Sequence, residues 1–177
     1  MIKKILHATD PKLRKESKPI KKVDKKTLNI ARDLVDTLVK QKDPEGVGLA
    51  APQIGIRTRM FAMEDKEGYK VVINPKILYI SEIKKIKTKP SHDDVMEGCL
   101  SIPHYYGPVK RAYRLKLKYI DVEGKEVIEN FHKFPAQIVQ HEIDHLDGIL
   151  FVDKLLEQKK YLYKHVDDGW EKVELIF

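Results

Sequence analysis

The sequence predicts an α+β domain, and three observations carry that prediction. Apolar residues recur at helical spacing over 25–41. Short β-type runs occupy the middle of the chain. A second helical stretch then carries His141-Glu142-Ile143-Asp144-His145.

Asp24 is placed to cap the first helix, and Leu28, Ala31, Leu34, Val35 and Leu38 form its apolar stripe. Asp43-Pro44-Glu45-Gly46 ends it. Met60–Met63 and Lys70–Asn74 read as short strands. Ile77, Tyr79, Ser81 and Ile83 suggest a third, less regular one. Leu115, Leu117 and Tyr119 alternate with lysines, the pattern of a half-buried strand. Asp121-Val122-Glu123-Gly124 turns the chain so that Glu126–Phe131 can return as its hairpin partner. Pro135 suits the first turn of a helix over 136–146, and Gly148 suits its end. Beyond it, Asp153–Lys164 reads as a second short helix and Trp170–Phe177 as a strand, with Trp170 as a packing anchor.

At 177 residues the chain can bury a proper core. It is read as one domain over 1–177, with the tail after about 156 the least patterned part. No apolar run approaches a membrane span and the N-terminus has no signal-peptide pattern, so a cytoplasmic protein is expected. One cysteine, Cys99, excludes an intrachain disulfide. It is either a buried inert thiol or, in an enzyme, a nucleophile or metal ligand. The net charge of +7 is concentrated at the start, where residues 1–42 hold 13 Lys/Arg against 5 Asp/Glu. A solvated surface explains this most simply. Attraction to an anionic partner such as RNA is the functional alternative, although no recognised nucleic-acid motif accompanies the charge.

The chemistry concentrates in His141-Glu142-Ile143-Asp144-His145. Residues four apart on a helix share a face, so both imidazoles can bind one ion. Glu142 beside them can take a proton from water on that ion. A catalytic site of this kind needs a third protein ligand. Downstream candidates are Asp147 (close to His145 in sequence, so poorly placed), Asp153, Glu157 and His165. The upstream candidate is Cys99 in Glu97-Gly98-Cys99-Leu100-Ser101, whose thiolate suits Zn or Fe(II). His7, His92, His104 and His132 read as surface or satisfied histidines, and so does His165 unless it is a ligand. A third signal is Gly46-Val47-Gly48-Leu49-Ala50-Ala51-Pro52-Gln53. It lacks the Lys-Ser/Thr ending of a phosphate-binding loop, but its small residues allow close backbone approach to a ligand. Gln53 can offer an amide N–H to an oxyanion.

Gly46–Gln53, Glu97–Ser101 and Gln140–Gly148 together, in this order, resemble the three signature motifs of peptide deformylase. Asp10-Pro11-Lys12-Leu13-Arg14 and Ile73-Asn74-Pro75 also resemble that family, and the resemblance covers roughly 1–156. It implies antiparallel sheets around a central helix carrying the two histidines. It implies Cys99, His141 and His145 as ligands of one divalent ion, Fe(II) by preference, with Zn, Ni or Co as replacements. It makes Glu142 the general base and acid, gives Gln53 and the Leu100 N–H to the oxyanion, and gives Gly48 to the substrate backbone. The implied reaction removes the formyl group from the N-terminal formyl-methionine of nascent polypeptides and releases formate. Such a substrate brings transient ribosome association as an expected partner.

Ile138, within one turn of His141, is placed to line the methionine pocket. Two departures stand out. Ser81–Met96 is longer than the matching segment of compact bacterial members. Tyr106 stands where many of them carry an arginine, which predicts an aromatic pocket rim. Two other readings compete: a zinc endopeptidase with a downstream third ligand, and a non-catalytic metal- or RNA-binding module. The intact Glu142 and Gln53 argue against the second.

Overall fold

The structure, a computed structural model, describes residues 1–83, 96–167 and 169–173. Among them, the first helix, α1, spans Lys25–Lys40. The Asp24 carboxylate accepts the Thr27 N–H at 2.9 Å, satisfying one of the donors that a helix N-terminus leaves free. Its buried stripe is Thr27, Ile30, Ala31, Leu34, Thr37 and Leu38. Leu28, expected on this face, is exposed instead: at about 100° per residue it falls roughly a third of a turn off the stripe's centre.

The glycine-rich stretch becomes a three-residue strand, β1 (Gly48–Ala50), followed by a 3-10 turn over Ala51–Ile54. Next come β2 (Met60–Asp65) and β3 (Gly68–Ile80). The sequence suggested two separate runs within 70–83. The structure joins them into one strand with register shifts between Ile73 and Lys76 and between Ile77 and Tyr79. Asn74 at the first irregularity takes φ 51°, and its side chain holds Ile20 by both backbone groups, at 2.8 and 2.7 Å. A β-bulge accommodates such a residue while keeping the strand paired. The expected 77–83 strand stops short at Ile80, and Ser81 to Ile83 lie outside any strand, because the strand paired to it begins at Arg114, whose carbonyl takes the Ser81 N–H at 2.9 Å. Of the long 81–96 segment, residues 84–95, including His92, lie outside the described residues.

The strands β4 (Glu97–Cys99), β5 (Ile102–Gly107), β6 (Arg114–Ile120) and β7 (Glu126–His132) follow. Then come α2 (Lys133–Leu146) and α3 (Phe151–Glu157). The expected helix over 153–164 is shorter than the sequence suggested. It stops at Glu157, and Leu162–Val166 forms β8 instead, paired with β9 (Gly169–Val173). Pairing to β5 outweighs local helix preference here, because Leu162 gains a buried place in the sheet. Trp170 lies in β9, as expected for a strand beginning there. Positions 174–177 lie outside the described residues.

All strand pairs among the described residues are antiparallel. One sheet runs β1-β2-β3-β6-β7 and the other β4-β5-β8-β9. The two faces of β2 explain how the layers stack. Met60 and Ala62 point to α1, together with Leu49 and Ile73. Phe61 and Met63 point to α2, where they meet Ile138, Val139, Ile143 and Leu146. Alternation along one strand thus builds two cores, one on each side of the sheet. The helix α2 lies between the five-stranded sheet and the smaller one, whose inner face carries Cys99, Tyr105 and Leu162 against Phe151 and Leu155 of α3. Arginine 111, in the connection between β5 and β6, ties this arrangement to α2.

Candidate active site

His141 and His145 stand one turn apart on α2, with ring centroids 4.8 Å apart and planes nearly perpendicular. Both are buried, as is Cys99 at the end of β4. One ligand atom from each of these three residues lies within 4.8 Å of the others, and the Cys99 Sγ is 3.2 Å from His145 Nε2. The downstream alternatives for a third ligand are engaged elsewhere. Asp147 pairs with Arg59 at 2.6 Å, Asp153 pairs with Arg14 and accepts the Leu150 N–H, and Glu157 pairs with Lys154 at 3.1 Å. His165 packs on Trp170.

The donor chemistry fits a divalent cation. A soft thiolate and two imidazoles make a set typical of Zn or Fe(II), and three protein donors leave a coordination position open. Electrostatics at Cys99 agree with a thiolate. Burial raises the thiol pKa, but the adjacent His145 and His141 outweigh it and hold the pKa well below the usual value. The Ser101 N–H and the Gln53 amide also point at the sulfur, at 3.4 and 3.5 Å. The buried His145 Nδ1 has no hydrogen-bond partner among the described residues.

Behind the imidazoles lies a charged cluster that sequence reasoning did not identify. Glu97 receives His141 Nδ1 at 2.8 Å, which fixes the tautomer that leaves Nε2 free for an ion. Arg111 grips Glu97 with Nε at 2.9 Å and Nη2 at 2.7 Å, and reaches Asp144 with Nη1 at 2.5 Å. Burial pushes the Glu97 carboxyl up, but Arg111 and His141 reverse this and hold it down at about 2. Glu97 was visible in the sequence only as a neighbour of Cys99. Nothing in the sequence marked Arg111, because its partners are 14 and 33 positions away.

Glu142 points from α2 toward β1. A Cβ on Gly48 would lie 2.4 Å from Glu142 Oε1 and 3.0 Å from Ile138 Cγ2, so glycine is required there by close approach. Glu142 is buried and its Oε2 has no hydrogen-bond partner among the described residues. Burial pushes its carboxyl up to about 7, even against the lowering effect of His141 and His145. A carboxyl with such a pKa can both accept and return a proton near neutrality.

Gln53 sits on the 3-10 turn after β1. Its Oε1 accepts the Ala50 N–H at 2.8 Å, which orients the amide so that Nε2 reaches Ser101 Oγ at 3.1 Å. A cavity of about 560 Å³ opens over these groups. Gly48, Gln53, Cys99, Leu100, Tyr106, Ile138, His141 and Glu142 all line it. Every residue singled out for the site thus reaches one cavity except His145, which lies behind Cys99. The rim also holds residues read from sequence as ordinary surface or packing positions: His104, His165 and Trp170. No periodicity or motif in the tail could have placed Trp170 there.

Residues 2–161 match the family description "Polypeptide deformylase". A peptide deformylase of Pseudothermotoga lettingae is 41% identical over 161 residues, spanning 91% of this chain and 87% of that protein. Peptide deformylase 1 of Clostridium acetobutylicum is 40% identical over 89% of this chain and 97% of its own length. Among solved structures, the peptide deformylase of Thermotoga maritima superposes with a TM-score of 0.75 at 37% identity, covering 86% of this chain and 97% of that one. The Thermus thermophilus enzyme gives a TM-score of 0.77 at 36% identity, covering 89% and 88%. The likeness in sequence spans nearly the whole of these relatives, and the fold agrees with theirs. With its paired histidines, upstream thiolate and glycine-backed glutamate, the chain belongs to the peptide deformylase family of metal-dependent hydrolases.

Proposed function

We propose that this chain, acting as one catalytic unit, hydrolyses the formyl amide of N-terminal formyl-methionine on nascent polypeptides and releases formate. Cys99, His141 and His145 hold the divalent ion. The observation that carries this reading is Glu142: a buried carboxylate with one oxygen unpartnered among the described residues, beside the Cys-His-His cluster and lining the same cavity as an oriented amide donor. When bound, the ion supplies a water of lowered pKa as nucleophile and polarises the formyl oxygen.

Glu142 takes the proton of the attacking water and delivers it to the leaving amine, a task suited to its buried, unpartnered carboxylate oxygen beside the ligand cluster. Gly48 allows the carboxylate to lie against β1, and its backbone is open to the substrate from the cavity side. The Gln53 amide, oriented by Ala50, and the Leu100 N–H stabilise the developing oxyanion. Loss of one such donor typically costs about 10²–10³ in rate. Ile138 and Leu100 line the apolar part of the cavity that receives the methionine side chain, and Tyr106 forms its rim.

Fe(II) is the ion we assign, with Zn, Ni or Co as substitutes the same ligands accept. The reaction takes place in the cytoplasm as chains emerge from the ribosome, with transient ribosome contact. Among the described residues no helix is long and apolar enough to cross a membrane. Formate release from a formyl-Met peptide by metal-replete protein, abolished by chelator, tests the activity. Metal analysis of protein purified without oxygen tests the ion. Absence of formate from metal-replete protein overturns the assignment. Unchanged metal binding in Cys99→Ser would favour the endopeptidase ligand set.

A further inference from the structure

The hairpin of β8 and β9 begins at Leu162, just past the last residue matched by the family description, yet it reaches the cavity. Register shows how. Gly98 pairs with Tyr106, Tyr106 with Tyr163, and His165 with Trp170. Directly opposed residues share a sheet face, and so do alternate residues along a strand. Gly98, Tyr106, Tyr163, His165 and Trp170 therefore stand on one face, opposite to the face that carries Cys99 and Leu162 into the core. The Tyr106 ring lies over Gly98, where a Cβ would come within 2.5 Å of it. Trp170 meets Tyr106 edge to face at 5.3 Å and His165 at 4.9 Å, and remains 51% exposed.

Asp43-Pro44-Glu45 also lines the cavity. Asp43 is close enough to Tyr106 that its charge adds to burial in raising the phenol pKa. The charge of this lining is one-sided. The chain carries +7 overall, yet the described lining residues include Asp43, Glu45, Glu97 and Glu142 and neither lysine nor arginine. Glu97 is neutralised by Arg111 and His141, and Glu142 lies against Gly48. That leaves Asp43 and Glu45, both exposed, of which Asp43 has only a long 3.9 Å approach to His104. An aromatic wall and carboxylates without a close partner among the described residues, lining one cavity, form a site for a cation: ring faces attract ammonium and guanidinium groups, and the carboxylates add charge attraction.

We propose that the C-terminal hairpin supplies a specificity subsite in which Trp170 and Tyr106, with Asp43 and Glu45, receive a lysine or arginine side chain from the residues just after formyl-methionine. This rests on the deformylase reading above. The test measures formate release from formyl-Met-X-Ala and formyl-Met-Ala-X, with X as Lys, Arg, Ala, Trp or Glu. Lys and Arg should exceed Ala in kcat/KM by about threefold to tenfold at one of the two positions, and exceed Glu by more. The advantage should shrink as salt is raised. Trp170→Ala should bring the Lys:Ala ratio to near one, while Trp170→Phe keeps most of it. Asp43→Asn should lower the Lys:Glu ratio. Each ratio is taken within one enzyme, so a general loss of activity does not imitate the effect. Equal rates for Lys, Ala and Glu at both positions, a preference for Trp over Lys, or a ratio unchanged in Trp170→Ala each overturn the subsite while leaving the deformylase reading intact. No formate from any peptide overturns both.

Discussion

Replacing Gly48 by alanine tests how tightly the general base is held. The new methyl carbon would lie 2.4 Å from Glu142 Oε1 and 3.0 Å from Ile138 Cγ2, where ordinary carbon–oxygen contact needs about 3.4 Å. The carboxylate or β1 must therefore shift by about 1 Å. Glu142 is buried under the cavity floor, and β1 is paired to β2 through Gly48–Met63, Leu49–Ala62 and Ala50–Phe61, so neither moves freely. Overpacking of this kind costs about 1–3 kcal/mol. For a chain of this size that lowers Tm by roughly 2–10 °C. A misplacement of about 1 Å at a reacting group costs about 10²-fold in rate. Gly48→Ala should therefore lose about 10²-fold in kcat on a formyl-Met peptide while retaining its metal, because none of the three ligands is touched. Glu142→Ala in the same background removes the obstructing oxygen and should restore much of the lost Tm without restoring activity. Full activity and an unchanged Tm in Gly48→Ala would refute the close-approach argument.

Other perturbations separate the layers of the site. Glu97→Gln leaves the buried Arg111 with Asp144 as its one remaining charge partner among the described residues, so a stability loss of about 1–3 kcal/mol by urea unfolding is expected, with about 10–100-fold weaker metal binding by competition titration. In the metal-free protein, Glu97 is held below its ordinary pKa of 4.5, at about 2, so its contribution to stability is present above about pH 4.5 and is lost as pH falls toward about 2. Urea midpoints across that window should fall in wild type and stay flatter in Glu97→Gln. Metal binds the folded chain and not the unfolded one, so chelation should lower Tm in wild type and leave Cys99→Ser nearly unmoved by calorimetry. A Cys99→Ser variant that keeps stoichiometric metal would remove the thiolate from the ligand set.

The helix α1, the β6–β7 hairpin and the histidine pair on α2 were legible from sequence because each is governed by local periodicity or by a cap or turn within a few residues. The motif residues were legible for a related reason: chemistry requires those residue types at fixed short spacings. Where the readings departed, distant partners decided. Leu28 lost its expected burial to Ile30 because the sheet, not the helix, defines which stripe is covered. Residues 162–164, expected as the end of a helix, became part of a strand because β5 offered an open edge.

By itself, then, the sequence determined the α+β class, the two histidines with their glutamate, and the short list of residues able to complete a metal site. Tertiary structure decided which of them meet. It brought Cys99 to the histidines across more than forty positions and placed Gly48 against Glu142. It closed Glu97 and Arg111 behind His141, and it folded the tail back so that Trp170 lines the cavity. The physical reason is that helix and strand spacings are set by neighbours along the chain. Close approach, desolvation and ion pairing depend on atoms brought together only when the two sheets pack around α2.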